Sequence, residues 1–270
     1  MRSPLRYPGG KTRARSIIVP QLTRQRATRL ISPFIGGGSV ELAWLSANPH
    51  GVAECFDLYE PLTEFWRYLL IDPQGVATLA KMHMPCERDL FYKLQSKLGE
   101  LQGIEKAAAF FVLNRCSFSG ATNSGGMSPG HRRFTESSID RVRNFRAPWL
   151  RVRRYDAFEL LAELADESPD DCVVYLDPPY AIEGAALYGD NGSAHRGFNH
   201  QEFARLFHEL SARGWRMLLS YNDCESIRAL YNGARIETAS WSYGMRAGGS
   251  SEVLIYSETW SHETANRDSE

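Results

Sequence analysis

The sequence predicts an α/β fold in which strands and helices alternate around a buried, mostly parallel sheet. Three observations point to it. The apolar, β-branched run Val173-Val174-Tyr175-Leu176 has strand length and stops at Asp177-Pro178-Pro179-Tyr180, so the chain leaves a buried strand for a loop whose backbone the prolines preset. A short strand near Leu30 leads through Pro33-Phe34-Ile35 into Gly36-Gly37-Gly38-Ser39 and then a helix from Val40 to Leu45, which is the opening unit of nucleotide-binding α/β folds. A further strand, Val52 to Asp57, ends in an acid about twenty residues past the glycines, where such folds hold ribose hydroxyls.

The remaining elements follow in order. Pro4 to Lys11 is a loop dense in turn formers ahead of a helix starting near Thr12. Its glycines let backbone approach a ligand; Tyr7 offers a ring and Lys11 a charge suited to a carboxylate or phosphate. From Pro61, the residues Leu62, Phe65, Trp66, Leu69 and Leu70 recur at helical spacing and read as core. Between Asp72 and Pro148 the alternation lapses. A helical stretch, Ile104 to Leu113, is followed by a long polar, glycine-rich loop from Asn114 to Gly130, of a kind that is usually functional.

The sheet resumes with Leu150 to Asp156 and a helix from Phe158 to Ala165. Asp156 suits two roles: acceptor for the amino group of a cofactor's adenine, or helix cap. After the central strand, Ala181 to Gly197 reads as a loop able to fold over the site. Phe198 to Phe203 has the form of a capping box with a hydrophobic staple, starting a helix to about Arg213. Trp215 to Tyr221 is a strand. Ala234 to Trp241 and Glu252 to Ser257 form a terminal hairpin around Gly244 to Gly249, and the polar tail from Ser261 frays.

Composition narrows the function classes. At 270 residues, with 43% apolar residues, the chain supports a large core. No apolar run is long enough to span a bilayer, and the arginine-rich N-terminus lacks a signal-peptide core, so a cytoplasmic home and no membrane partner are expected. Five widely spaced cysteines, with no Cys-x-x-Cys pair, read as reduced and mostly buried thiols. His195, His200 and His208 fit no compact ligand pattern, so no metal is expected. Net charge is only −1, yet Met1 to Val40 holds no Asp or Glu beside Arg2, Arg6, Lys11, Arg13, Arg15, Arg24, Arg26 and Arg29. A second basic stretch runs from Arg132 and Arg133 through Arg141, Arg143, Arg146, Arg151 and Arg153 to Arg154. Two such clusters suit phosphate contact.

The chemistry converges on Asp177-Pro178-Pro179-Tyr180. The carboxylate and the Pro178 carbonyl can both accept hydrogen bonds from an exocyclic amino group, while the Tyr180 ring stacks on a flat base. Together with Tyr7-Pro8-Gly9-Gly10-Lys11 and the Pro33-Phe34-x-Gly-Gly-Gly-Ser39 loop, this order of parts resembles the Dam-type (D12 class, α-group) DNA adenine-N6 methyltransferases over nearly the whole chain. The resemblance implies the methyltransferase variant of the Rossmann-like fold, with seven strands and a reversed terminal hairpin. It implies S-adenosyl-L-methionine as methyl donor, held by Tyr7, Lys11, Phe34, Gly36, Gly37, Gly38, Asp57 and Asp177, with Asp156 as a further candidate. Residues 1–72 and 149–270 would form the catalytic domain and 73–148 a mainly helical target-recognition insertion.

Double-stranded DNA is then the expected partner, the target adenine is flipped out of the stack, and a restriction-modification, phage or epigenetic context with a cognate endonuclease is open. A monomer or weak dimer is expected. Arg13, Arg15, Arg115, Asn123, Arg132 and Arg133 are the DNA-contact candidates. The chain departs from the family in two places: Ser32 stands where members commonly carry Asp or Glu, and the Asn114 to Gly130 loop lacks the arginine-rich hairpin associated with Gly-Ala-Thr-Cys recognition. The acceptor motif alone also admits a cytosine-N4, RNA or protein-amide methyltransferase, and a catalytically silent DNA-binding protein is the rival of another class.

Overall fold

The computed structural model describes residues 1–7, 9–128, 133–181, 197–240 and 251–260. Its seven-stranded sheet has the order β3-β2-β1-β4-β5-β7-β6. β1 (Arg29–Ser32), β2 (Val52–Asp57), β3 (Leu150–Arg154), β4 (Cys172–Leu176) and β5 (Met217–Asn222) are parallel, whereas β7 (Ser251–Tyr256) runs antiparallel to β5 and to β6 (Arg235–Ser240). The expected mostly parallel sheet with a reversed terminal pair is therefore present. The expected turn at Gly244 to Gly249, the frayed tail from Ser261 and most of the Ala181 to Gly197 segment lie outside the described residues.

β4 is buried along its whole length, in keeping with its unbroken apolar sequence. It pairs with β1 on one side, Ile31 opposite Val174, and with β5 on the other, Tyr175 opposite Leu218. From β1 the chain winds outward to β2 and β3, then returns to β4 and winds the other way. The boundary between β1 and β4 is thus the topological switch point, where an open sheet leaves a crevice at its carboxyl edge.

Helices cover both faces. Residues alternate along the strands: Leu30, Val173 and Tyr175 enter one core with Trp44, Phe65 and Trp66, while Ile31, Val174 and Leu176 enter the other with Leu161, Phe207 and Trp215. The first face carries α1 (Arg15–Arg24), α2 (Ser39–Ala47) and α3 (Glu60–Ile71). Residues 73–148 are mainly helical: α4 (Pro73–Lys81), α5 (Arg88–Lys97), α6 (Gly103–Cys116) and α7 (Glu136–Arg143). They share the first core, since Val76, Phe91, Phe111 and Ile139 join the cluster of Phe65 and Trp66. The second face carries α8 (Ala157–Leu164), α9 (His200–Ala212) and α10 (Glu225–Leu230).

Two helix boundaries differ from the expected ones. Lys11 to Ala14 form turns, so the first helix starts at Arg15 and not near Thr12. The predicted loop from Asn114 starts later: α6 continues to Cys116, and Asn114 uses its amide to take the Arg6 N–H at 2.9 Å and to donate to the Arg6 carbonyl at 2.6 Å. Two short 3-10 turns, Phe118–Gly120 and Thr122–Ser124, then give the loop structure. The predicted staple is realised: Asn199 accepts the Glu202 N–H at 3.1 Å, and the Phe198 and Phe203 rings lie 5.2 Å apart. Four cysteines are buried and Cys224 is half-buried. Among the described residues, no helix is long and apolar enough to cross a membrane.

Candidate active site

The glycine loop is shaped by what lies against it. A Cβ on Gly36 or Gly37 would come within 2.8 Å of the Tyr7 side chain, so only bare backbone fits beneath that ring. Gly36 and Gly38 take φ of +44° and +65°, which suits glycine, and a Cβ on Gly38 would come within 2.8 Å of the Trp66 indole. Trp66 Nε1 donates to the Gly36 carbonyl at 3.0 Å. Asp57, ending β2, accepts the N–H groups of Gly36 and Tyr59, both at 3.1 Å. Burial pushes its carboxyl up to about 6, against these hydrogen bonds, which favour the anion. The sequence offered Asp57 for a ribose; the fold also makes it the brace of the glycine loop.

Across the switch point, β4 delivers Asp177. Lys11 Nζ donates to Asp177 Oδ1 at 2.6 Å and to the Tyr180 hydroxyl at 2.7 Å, and lies 3.7 Å from Glu252 Oε2 on β7. Ser220 Oγ on β5 donates to the same Asp177 oxygen at 2.9 Å. The lysine is 3% exposed. Below the prolines, Asn222 pins the loop, accepting the Ala181 N–H at 2.9 Å and donating to the Ala181 carbonyl at 3.2 Å. Lys11 therefore reaches the acid of the acceptor motif from the far end of the chain. Ser220, Asn222 and Glu252 carried no local signal, since each matters only through a neighbouring strand.

Both ends open into one cavity of about 550 Å³, lined by Tyr7, Lys11, Phe34, Gly36, Gly37, Gly38, Asp57, Asp156, Asp177, Pro178 and Pro179. Tyr180 is not on that wall; its hydroxyl sits on Lys11, and its ring lies 6.3 Å from Tyr221. Asp156 is the cap of α8, its Oδ1 taking the Phe158 N–H at 2.7 Å, while still facing the cavity. Phe158, read from sequence as the start of a helix, and Phe198, read as part of a hydrophobic staple, also line it, their rings 5.1 Å apart and Phe34 5.9 Å from Phe198. At the foot of the glycine loop, Ser32 Oγ donates to Glu41 Oε1 at 2.7 Å, and burial pushes the Glu41 carboxyl up to about 7.

The DNA-contact candidates separate. Asn123 lines the same cavity. Arg13 is exposed and Arg15 half-buried at the start of α1. Arg115, in the last turn of α6, donates from Nε to the Arg133 carbonyl at 2.8 Å, and burial together with Arg6, Arg141 and Arg133 pushes its guanidinium down to about 10. Arg6 itself donates to the Ser117 carbonyl at 3.2 Å. The two basic stretches of the sequence thus meet in one arginine cluster. Arg132 lies outside the described residues. The histidines have structural partners: His200 Nδ1 hydrogen-bonds the Tyr221 hydroxyl, and His208 Nε2 lies 3.0 Å from the Leu230 carbonyl. His195 is outside the described residues.

Comparison with known proteins gives the family. The family model described as D12 class N6 adenine-specific DNA methyltransferase matches residues 7–245. A DNA N-6-adenine-methyltransferase of Escherichia phage P1 is 26% identical over 261 residues, covering 87% of this chain and 32% of the phage protein. The chain spans about a third of that relative's length. Among solved structures, a precorrin-6y C5,15-methyltransferase of Geobacter metallireducens GS-15 has a TM-score of 0.35 at 12% identity, covering 90% of this chain and 87% of its own. The yhhF protein of Escherichia coli has a TM-score of 0.36 at 14% identity, covering 93% and 88%. The match over residues 7–245 takes in both the glycine loop and the acceptor motif, and the chain belongs to the D12 class of N6 adenine-specific DNA methyltransferases.

Proposed function

We propose that this protein transfers a methyl group from S-adenosylmethionine to the exocyclic amino group of an adenine flipped out of duplex DNA. One observation carries the reading: the glycine loop after β1 and the Asp177-Pro178-Pro179 turn after β4 open into a single cavity at the switch point. The residues present fit that cofactor. Gly36 and Gly37 leave backbone bare beneath the Tyr7 ring, Phe34, Phe158 and Phe198 supply an aromatic wall, and Glu41, Asp57, Asp156 and Asp177 give acceptors for hydroxyls and positive charge. When bound, it supplies an electrophilic methyl group on a sulfonium that departs as a neutral thioether.

The protein's task is the acceptor. The adenine amino group is a poor nucleophile because its lone pair is delocalised into the ring. Hydrogen bonds from it to the Asp177 carboxylate and the Pro178 carbonyl draw the nitrogen toward a pyramidal geometry and aim the lone pair along the transfer line. Lys11 and Ser220 hold Asp177 Oδ1 in place. As the carbon–nitrogen bond forms, positive charge grows on the amino nitrogen beside the carboxylate, and its proton then leaves toward solvent. Tyr180 stacks on the base and replaces the neighbours lost on flipping.

Residues 73–148 act as the recognition insertion in this reading. The arginine cluster takes backbone phosphates, Asn123 reads from the cavity rim, and Phe118, 54% exposed, fills the gap left in the stack. The test is to incubate the protein with S-adenosylmethionine and duplex DNA and identify the methylated nucleoside by mass spectrometry. N6-methyldeoxyadenosine is expected. N4-methyldeoxycytidine, methylation of RNA alone, or tight DNA binding with no methylated base would overturn the proposal.

A further inference from the structure

Glu41 is an acid of the cavity wall to which the proposed mechanism gives no particular partner. It is the third residue of α2, 2% exposed, and lines the cavity. Its side-chain partner is the neutral Ser32 hydroxyl, with further help from the N–H groups of Val40 and Glu41 itself. Among the described residues it forms no salt bridge. Lys11, which lines the same cavity, is engaged with Asp177, Tyr180 and Glu252. Facing Glu41 are Ser32 from β1, Cys55 from β2, and Tyr175 and Asp177 from β4, none of them a cation. A carboxylate buried against neutral and acidic neighbours is costly to hold ionised, and a cation from outside removes that cost.

We infer that Glu41, oriented by Ser32, binds the ammonium group at the amino-acid end of the cofactor. The placement follows from the transfer itself. The reacting methyl must stand beside Asp177, so the amino-acid end lies on the Asp177 side of the cavity and the ribose on the Asp57 side. Glu41 is within electrostatic reach of Asp177. The inference rests on the cofactor reading above, and gives the glycine-loop helix a charged contact that its glycine cap cannot supply.

An ordinary helix-start carboxylate would stabilise the fold and be indifferent to the ligand. The two roles separate by calorimetry at pH 8 with wild type and Glu41→Gln, using S-adenosylhomocysteine and its deaminated analogue, with a thermal unfolding curve of each protein alone. The expected result is roughly a ten- to hundred-fold weaker binding of S-adenosylhomocysteine by the variant, as for loss of a charge-assisted hydrogen bond. The deaminated analogue should bind both proteins within about two-fold, and the unliganded variant should unfold no lower than wild type. Equal losses for both ligands, or none for either, would overturn the assignment. Wild type that bound neither ligand would instead overturn the cofactor reading, and this inference with it.

Discussion

Two regions of the molecule are electrically unbalanced in opposite senses. The cavity wall holds Glu41, Asp57, Asp156 and Asp177, with Lys11 on Asp177, whereas Arg6, Arg115, Arg133 and Arg141 crowd together near the end of α6. Burial raises carboxyls in the first and lowers a guanidinium in the second, and each region resists the charge it carries. Such strain is relieved by ligands of opposite sign. Under the proposed function, a compact cation carrying a nucleoside answers the first and a polyanion the second.

The largest test of this contrast lies at Asp177, the acid proposed to touch the acceptor. Asp177→Ala should leave cofactor binding within a few-fold while lowering methyl transfer by roughly a hundred- to a thousand-fold, in line with loss of a positioned transition-state contact. Near-normal turnover on duplex DNA would remove Asp177 from the chemistry and leave the cavity a binding site only.

Next is the acid that braces the glycine loop and is proposed to hold the ribose. Asp57→Ala should weaken S-adenosylmethionine binding by about 1.5 to 3 kcal/mol in calorimetry without changing how DNA binding responds to salt. An altered salt response would mean that the two charged regions are not separate in function.

The converse change is smaller. Arg115→Ala should weaken binding to every duplex alike and lower the slope of log affinity against log salt by about 1, with cofactor affinity untouched. Arg13→Ala should behave similarly, whereas a change at Asn123, Arg132 or Arg133 should relax or shift the methylated motif, read by long-read sequencing of DNA from cells expressing each variant. If the motif survived all three, base reading would lie elsewhere.

The smallest effect is on stability. Glu41 ionises near 4.5 when unfolded and near 7 when folded, so the folded state holds the extra proton and stability is lost as pH rises between these values. Glu41→Gln should therefore raise the unfolding temperature at pH 8 by roughly 5 °C, a gain that shrinks as pH falls toward 4.5. A lower unfolding temperature at pH 8 would show that the carboxylate is held for the fold and not for a ligand.

What the sequence by itself determined were features written in short windows. The β4 run ending in Asp177-Pro178-Pro179-Tyr180, the glycine turn after β1, the acid closing β2 and the Phe198 staple all follow from periodicity and turn chemistry over a few residues. Those windows also carried the family, because its motifs are local. The tertiary structure decided who meets whom. Lys11 reaches Asp177 across 166 residues, Arg6 joins Asn114 across 108, and Asn123 lines the cavity from the loop after α6. Asp57 became a brace as well as a ribose candidate because β2 ends beside the glycine turn, and Glu41 became a buried acid because β1 sets Ser32 against it. None of these pairings has a local signature: burial and the proximity of charge depend on strand order and helix packing, which exist only once the chain has folded.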